Sequence, residues 1–219
     1  MIIRRQHGHQ PAIGARRRRQ RGQGLVEFAL LVPVFLLILL GMLEFGFAFN
    51  HNLTLDVATR EGARAGAAMA DGSQIDTSCG AGTTITAANV DPLVIAAVQR
   101  VLESPGSMID ISQIQNITIY EVTSSGTVTG LSNVWTRTIG AGPVVPCVSP
   151  AQKLDFSTST SGWPASSRTL GATPDSIGVS ITYTYQFRSA LGGILRFFGG
   201  SGAASLQMTD RTVMALQPT

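Results

Sequence analysis

The chain has 219 residues, a formal net charge of +3 and only 13% charged residues. Seven of its 16 basic residues, all arginine, fall within residues 1–22, where there is no acid, and the remainder has nine basic residues against 13 acidic ones. Basic character confined to one arm excludes a nucleic-acid-binding body. A single lysine, Lys153, amid abundant Ser, Thr and Gly fits an extracytoplasmic β-rich domain better than a cytosolic enzyme.

The first element is the apolar run "LVEFALLVPVFLLILLGMLEFGFAF", residues 25–49. As a helix it would be about 37 Å long, enough to cross a hydrocarbon core of about 30 Å with some tilt. Arginines before it and none just after predict a cytoplasmic N-terminus and a body outside. The helical pattern continues through "NHNLTLDVATREGARAGAAMADG", with Leu53, Val57, Ala58, Ala65 and Ala68 at mostly three- and four-residue spacings. Glu61 and Arg64 stand at a helical i,i+3 distance. Pro33 predicts a kink or a local loosening, and Asp71-Gly72 a stop.

A second helix is expected over "DPLVIAAVQRVL", with Asp91 as N-cap and Pro92 in the first turn. Further on, Ile109, Ile111, Ile117 and Ile119 alternate, with an irregularity near Gln113. Ile177, Val179, Ile181, Tyr183, Tyr185 and Phe187 alternate without one, giving the clearest strand. "ASLQMTDRTVMAL" is a weaker terminal strand. Residues 124–176, rich in Ser, Thr, Gly and Pro, read as long loops with one short strand near Trp135. There is no internal repeat. The expected fold is α+β and pilin-like: a long N-terminal helix, partly transmembrane, a short second helix and a small antiparallel sheet against the first helix. Cys79 and Cys147 lie beyond the apolar run, where a disulfide is permissible. It would close a loop of roughly 70 residues, worth about 4 kcal/mol in the chain-entropy account; two unpaired thiols are the alternative.

Support for catalysis is slight. "DFSTS" places Asp155, Ser157 and Ser159 in a DxSxS pattern, which can open a metal-ion adhesion site, but no suitable strand precedes it and a Ser/Thr-rich loop is the simpler reading. The histidines are His7 and His9 in the arm and His51 at the end of the apolar run, which argues against a His-based triad. No CxxC, HExxH or phosphate-cradling glycine loop is present, so no cofactor or metal is expected. "LGGILRFFGG", residues 191–200, reads either as a buried hairpin connection or as a surface wedge for a neighbouring subunit.

Glu27, a carboxylate at the start of an apolar run, is costly in hydrocarbon unless paired. Three readings compete. In a plain anchor it would sit at headgroup depth without a role. In a secretory signal peptide cleaved near Ala48 it would spoil the apolar region, and the product would be a secreted binding module. The third reading uses spacing, because Glu27 is the fifth residue after Gly22. That arrangement resembles the processing site of type IV prepilins, cut after a glycine on the cytoplasmic side, and Phe28 supplies the aromatic of the tight-adherence (Flp) branch. More specifically, "GQGLVEFALLVPVFLLILLGMLEFGFAF" is similar to the start of the TadE-like pseudopilins, matching at Glu27, Phe28, Pro33, Gly41, Glu44, Phe45 and Gly46. "DVATREGARAGA" resembles the Ala/Arg-rich segment that often follows. The arm before Gly22 is longer than a minimal leader of that family.

The resemblance implies a non-enzymatic minor pilin or pseudopilin, structural in a tight-adherence pilus or a related secretion apparatus. Residues 1–22 would be a basic leader removed between Gly22 and Gln23, residues 23–70 a transmembrane and assembly helix (membrane part about 25–49), and residues 71–219 an extracytoplasmic α+β domain. It further implies a prepilin peptidase, other pilins and pseudopilins, an inner-membrane assembly platform and the lipid bilayer as partners. Glu27 would pair with the terminal amine of an adjoining subunit, and Leu25, Leu30, Leu31, Val34 and Leu37 would supply helix-packing surface. Glu44 would lie near the outer headgroups without an assigned role.

Overall fold

The computed structural model of the protein describes residues 15–73, 75–76, 83–145, 153–171 and 173–217. Cys79 and Cys147 lie outside the described residues, as does most of the arginine arm. Helix α1 spans Ala15–Met69 and runs through Pro33, whose missing N–H leaves the Ala29 carbonyl without its helical donor. The chain divides between Leu43 and Glu44 into two units.

The second unit begins at Glu44 within α1. After the helix come a two-residue pair, β1 (Ile75–Asp76) and β2 (Thr83–Thr84), then α2 (Ala87–Leu102), β3 (Ile114–Val122), β4 (Val128–Arg137), β5 (Phe156–Ser161), β6 (Ser176–Gln186), helix α3 (Ala190–Gly199) and β7 (Ser205–Ala215). The five long strands form one antiparallel sheet in the order β5-β4-β3-β6-β7. The α+β architecture is the expected one: a long first helix, a short second helix and an antiparallel sheet.

One face of the sheet is apolar because the strands alternate. Ile117 and Ile119 of β3, and Ile177, Val179, Ile181, Tyr183 and Tyr185 of β6, are all buried on it. The second half of α1 and one face of α2 cover this surface. Small residues set the approach, since Ala58, Gly62, Ala63, Gly66 and Ala67 of α1 are buried together. A Cβ on Gly62 would lie 2.5 Å from Val98 of α2, and one on Gly66 2.4 Å from Ile177 of β6. The buried stripe therefore differs from the expected one. Leu53 and Val57 are exposed and Ala68 also faces out, whereas Ala58 is buried as expected, and Leu55 with the small residues Gly62, Ala63, Gly66 and Ala67 completes the buried side.

Three further expectations are corrected. Helix α2 starts at Ala87, with Thr86 as N-cap and its N–H donating to Asn89 Oδ1. Asp91 and Pro92 therefore lie inside it, and Asp91 binds tertiary partners in place of a cap. Residues 124–176 hold two strands, of ten and six residues; the first contains Trp135, where one short strand was expected, and the second reads as loop because every residue after Phe156 is Ser or Thr. The DxSxS residues belong to or adjoin β5. Asp155 accepts from the Gly140 amide, and Ser159 donates to the Val134 carbonyl. The irregularity near Gln113 is a 3-10 turn over Ile111–Gln113 followed by a bulge between Ile114 and Asn116. The first helix ends as expected: Gly72, at φ 81°, crosses so close to Thr86 and Ala87 that a Cβ would collide with their backbone.

Candidate functional site

Within the first unit, Leu25 to Leu43 is a helical surface with nothing from its own unit laid over it. Leu25, Phe28, Leu30, Leu31 and Met42 are each about two-thirds or more exposed, and none of the most apolar stretch is buried. A helix this long and apolar is sufficient to cross a membrane. Gly22 and Gln23 lie inside α1, so the peptide bond between them is helical. Glu27 sits one turn on and accepts from the Gln23 side-chain amide at 3.2 Å, with both side chains exposed. Helical side chains lean toward the N-terminus, which aims the Glu27 carboxylate back at Gln23. Gly41 has open space around the position of a Cβ, as does Gly46 in the second unit, unlike Gly62 and Gly66. Each costs about 1 kcal/mol of helix stability relative to Ala with no packing return inside this chain.

The second unit opens with the residue to which the sequence assigned no role. Glu44 is 4% exposed and accepts three hydrogen bonds. The Tyr185 hydroxyl and the Arg188 amide donate to Oε1, and the Ser189 amide donates to Oε2 at 2.9 Å. Ser189 is the N-cap of α3 and its hydroxyl accepts from the Leu191 amide, so one carboxylate ties α1 to the end of β6 and the start of α3. Burial, then the neighbouring carboxylate, push the Tyr185 phenol well above its ordinary range. Two turns further along α1, His51 is buried with its ring edge-on to Tyr185 (centroids 5.0 Å apart) and its Nδ1 3.1 Å from the Tyr183 hydroxyl. Burial, and then the charge of Arg188, hold its pKa below the ordinary value. A signal for this cluster stood in the sequence: two phenols on the buried face of β6 require polar partners, and Glu44 and His51 are the polar residues on the adjoining helix. Phe45 and Phe49 face away from the cluster, stacked at 6.5 Å and exposed.

A second polar centre joins α2 to the sheet. Arg168, fully buried, donates to Asp91 and to the Ala70 carbonyl, and lies over the Trp163 ring at 4.6 Å. Asn133 of β4 donates to Asp91 and to the Trp163 carbonyl, and accepts from the Trp163 amide. Most of its polar groups pair with one another, an organising arrangement, while Arg168 Nε and the Trp163 indole N–H have no hydrogen-bond partner among the described residues. Among the described residues there is no cluster of His, Cys, Asp and Glu able to hold a metal ion.

Residues 22–64 match the family model described as TadE-like protein, the family that the residues of this helix resemble. No curated protein and no solved structure matches the chain. The matched segment holds Glu27, Gly41, Glu44, Gly46 and Gly62, and with its apolar helix it fits a pilin-like, membrane-anchored protein.

Proposed function

We propose that this chain is a TadE-like minor pilin or pseudopilin, a non-enzymatic structural component in the assembly of a tight-adherence pilus or a related secretion apparatus. Residues 1–22 form a leader that a prepilin peptidase removes between Gly22 and Gln23 on the cytoplasmic side. Residues 23–70 anchor the protein in the bacterial cytoplasmic membrane and pack against other pilins and pseudopilins on an inner-membrane platform. Residues 71–219 form the extracytoplasmic body.

The observation that carries this reading is the uncovered apolar helix with a single carboxylate, Glu27, one turn after Gln23. Cleavage frees an α-amine on Gln23 beside that carboxylate. A carboxylate in hydrocarbon is expensive alone and is neutralised by a terminal amine, so helices that bring the two together between subunits gain over helices left in lipid. The open glycines at 41 and 46 let neighbouring helices approach closely, as small residues do in membranes. The secreted-module reading is disfavoured by Glu44. Cleavage near Ala48 would remove it and strand the Tyr185 hydroxyl and two backbone amides.

Intact mass of the protein from its native membranes, with tandem sequencing of the N-terminal peptide, tests the reading. A chain starting at Gln23 is expected. A start near Phe49, or a chain that keeps its arginine arm, overturns the proposal. With processing intact, Glu27→Gln is expected to remain in the membrane but to lose assembly.

A further inference from the structure

Helix α3 presents an apolar face to the outside of the second unit. Gly192 is buried, and a Cβ there would lie 3.0 Å from Phe187, so the glycine lets the helix sit directly on the end of the sheet. At about 100° per residue, Ile194, Phe197 and Phe198 point the opposite way. Phe197 and Phe198 are 84% and 82% exposed, with their rings edge-on at 5.1 Å. Paired exposed phenylalanines on a ten-residue helix are a costly surface in water.

The place of α3 in the chain indicates what covers it. Its N-cap is hydrogen-bonded to Glu44, and Glu44 is peptide-bonded to Leu43, the last residue of the uncovered apolar run. Exposed Phe45 and Phe49 occupy the first two turns after that point and line a shallow apolar groove of about 250 Å³ with Leu206 and Met208. From Phe187 to Thr209 there is no acid, and the two charges are Arg188 and exposed Arg196. Exposed aromatic side chains at the end of a membrane span, with exposed arginines nearby and the adjoining carboxylate, Glu44, buried and hydrogen-bonded, match the headgroup boundary of an anionic bilayer.

We infer that α3 is an interfacial membrane helix, which inserts Phe197 and Phe198 into the lipid leaflet from which α1 emerges and sets Arg196 among the phosphates. This rests on the reading of α1 as a membrane anchor. The second unit would then be held to the bilayer at two places, the emerging helix and α3.

The test uses the full chain in vesicles of phosphatidylcholine and phosphatidylglycerol, with and without brominated acyl chains. Trp135 and Trp163 are buried and supply a constant background. Single variants Phe197→Trp, Phe35→Trp and Leu131→Trp each add one tryptophan at an exposed site. Phe197→Trp should show blue-shifted added emission and lose most of it to brominated lipid, as Phe35→Trp does, while Leu131→Trp on β4 should lose none. Quenching at residue 35 without quenching at residue 197 overturns the interfacial role and leaves the anchor standing. A blue shift at residue 197 that brominated lipid does not quench, and that grows with protein density, assigns α3 to a neighbouring copy and also overturns it. Absence of quenching at residue 35 removes the anchor reading, and this inference with it.

Discussion

The Tyr185 hydroxyl donates to the Glu44 carboxylate across 141 residues of sequence, joining the last buried position of β6 to the first residue of the folded body. The same carboxylate accepts the two backbone amides that open α3. A charge next to an apolar run is thereby converted into a structural node, because each of its bonds is to a donor that burial would otherwise leave unsatisfied.

Removing the two partners of this node should have unequal effects. Tyr185→Phe deletes one donor, leaves the carboxylate its two amides, and should cost about 1–2 kcal/mol. Glu44→Ala strands a buried hydroxyl and two amides, and should cost about 3 kcal/mol or more. Urea unfolding of the full chain in detergent micelles, followed by near-ultraviolet circular dichroism, would rank them. Equal losses would mean that the amides find other acceptors.

The two buried glycines of α1 should differ as well. Gly62→Ala drives a methyl against Val98, whose branched side chain has little rotamer freedom. Overpacking of about 1–3 kcal/mol should outweigh the roughly 1 kcal/mol gained in helix propensity. Gly66→Ala meets the terminal methyl of Ile177, which can swing aside, and should be milder. The melting temperatures of the two variants decide the order, while Gly41→Ala, with open space around it, should not lower stability.

Arg168 and lysine are not interchangeable at this site. Only a planar guanidinium can lie over Trp163 while donating to both Asp91 and the Ala70 carbonyl. Arg168→Lys should cost about 2 kcal/mol, and Arg168→Met, which leaves Asp91 with Asn133 as its remaining partner, about 3 kcal/mol. A paired Asp91→Asn/Arg168→Met variant that recovers part of the loss would identify the unpaired charge as its source.

His51 makes the body sensitive to acid. Its folded pKa lies below the ordinary value through burial and the charge of Arg188, so the unfolded chain takes up the proton first. Its contribution is fully present above about pH 6.5 and is lost as the pH falls through that value toward the folded pKa. Unfolding free energies measured between about pH 8 and pH 5 should decline for the native chain and decline less for His51→Gln. An equal slope in both would assign the decline to carboxylates.

The legible parts of this protein were those where one physical requirement dominates. Hydrocarbon thickness fixes the length of the apolar run, and a one-sided sheet forces the alternation from Ile177 to Tyr185. Strand β4 was expected only as a short strand near Trp135, and β5 was hidden because its residues after Phe156 are all Ser and Thr, which are shared with loops. The packing stripe of α1 was found only in part: Ala58 is buried as expected, but close contact favours Gly62 and Gly66, and a search for apolar side chains passes over both. Glu44 was left without a role because its partners are a phenol and two amides far along the chain, and no local spacing announces them.

The sheet and the chain just beyond its strands grip α1 at four heights. Glu44 is held by Tyr185 and Ser189, His51 pairs with the Tyr183 hydroxyl, Thr59 donates to Asp210 beside Thr212, and the Ala67 carbonyl accepts the Gln217 amide. These sites are spread over about 35 Å of helix at 1.5 Å per residue. A tensile load drawn along the helix axis would therefore be shared among them in shear, and the body would have to release all four together before the helix could be pulled free.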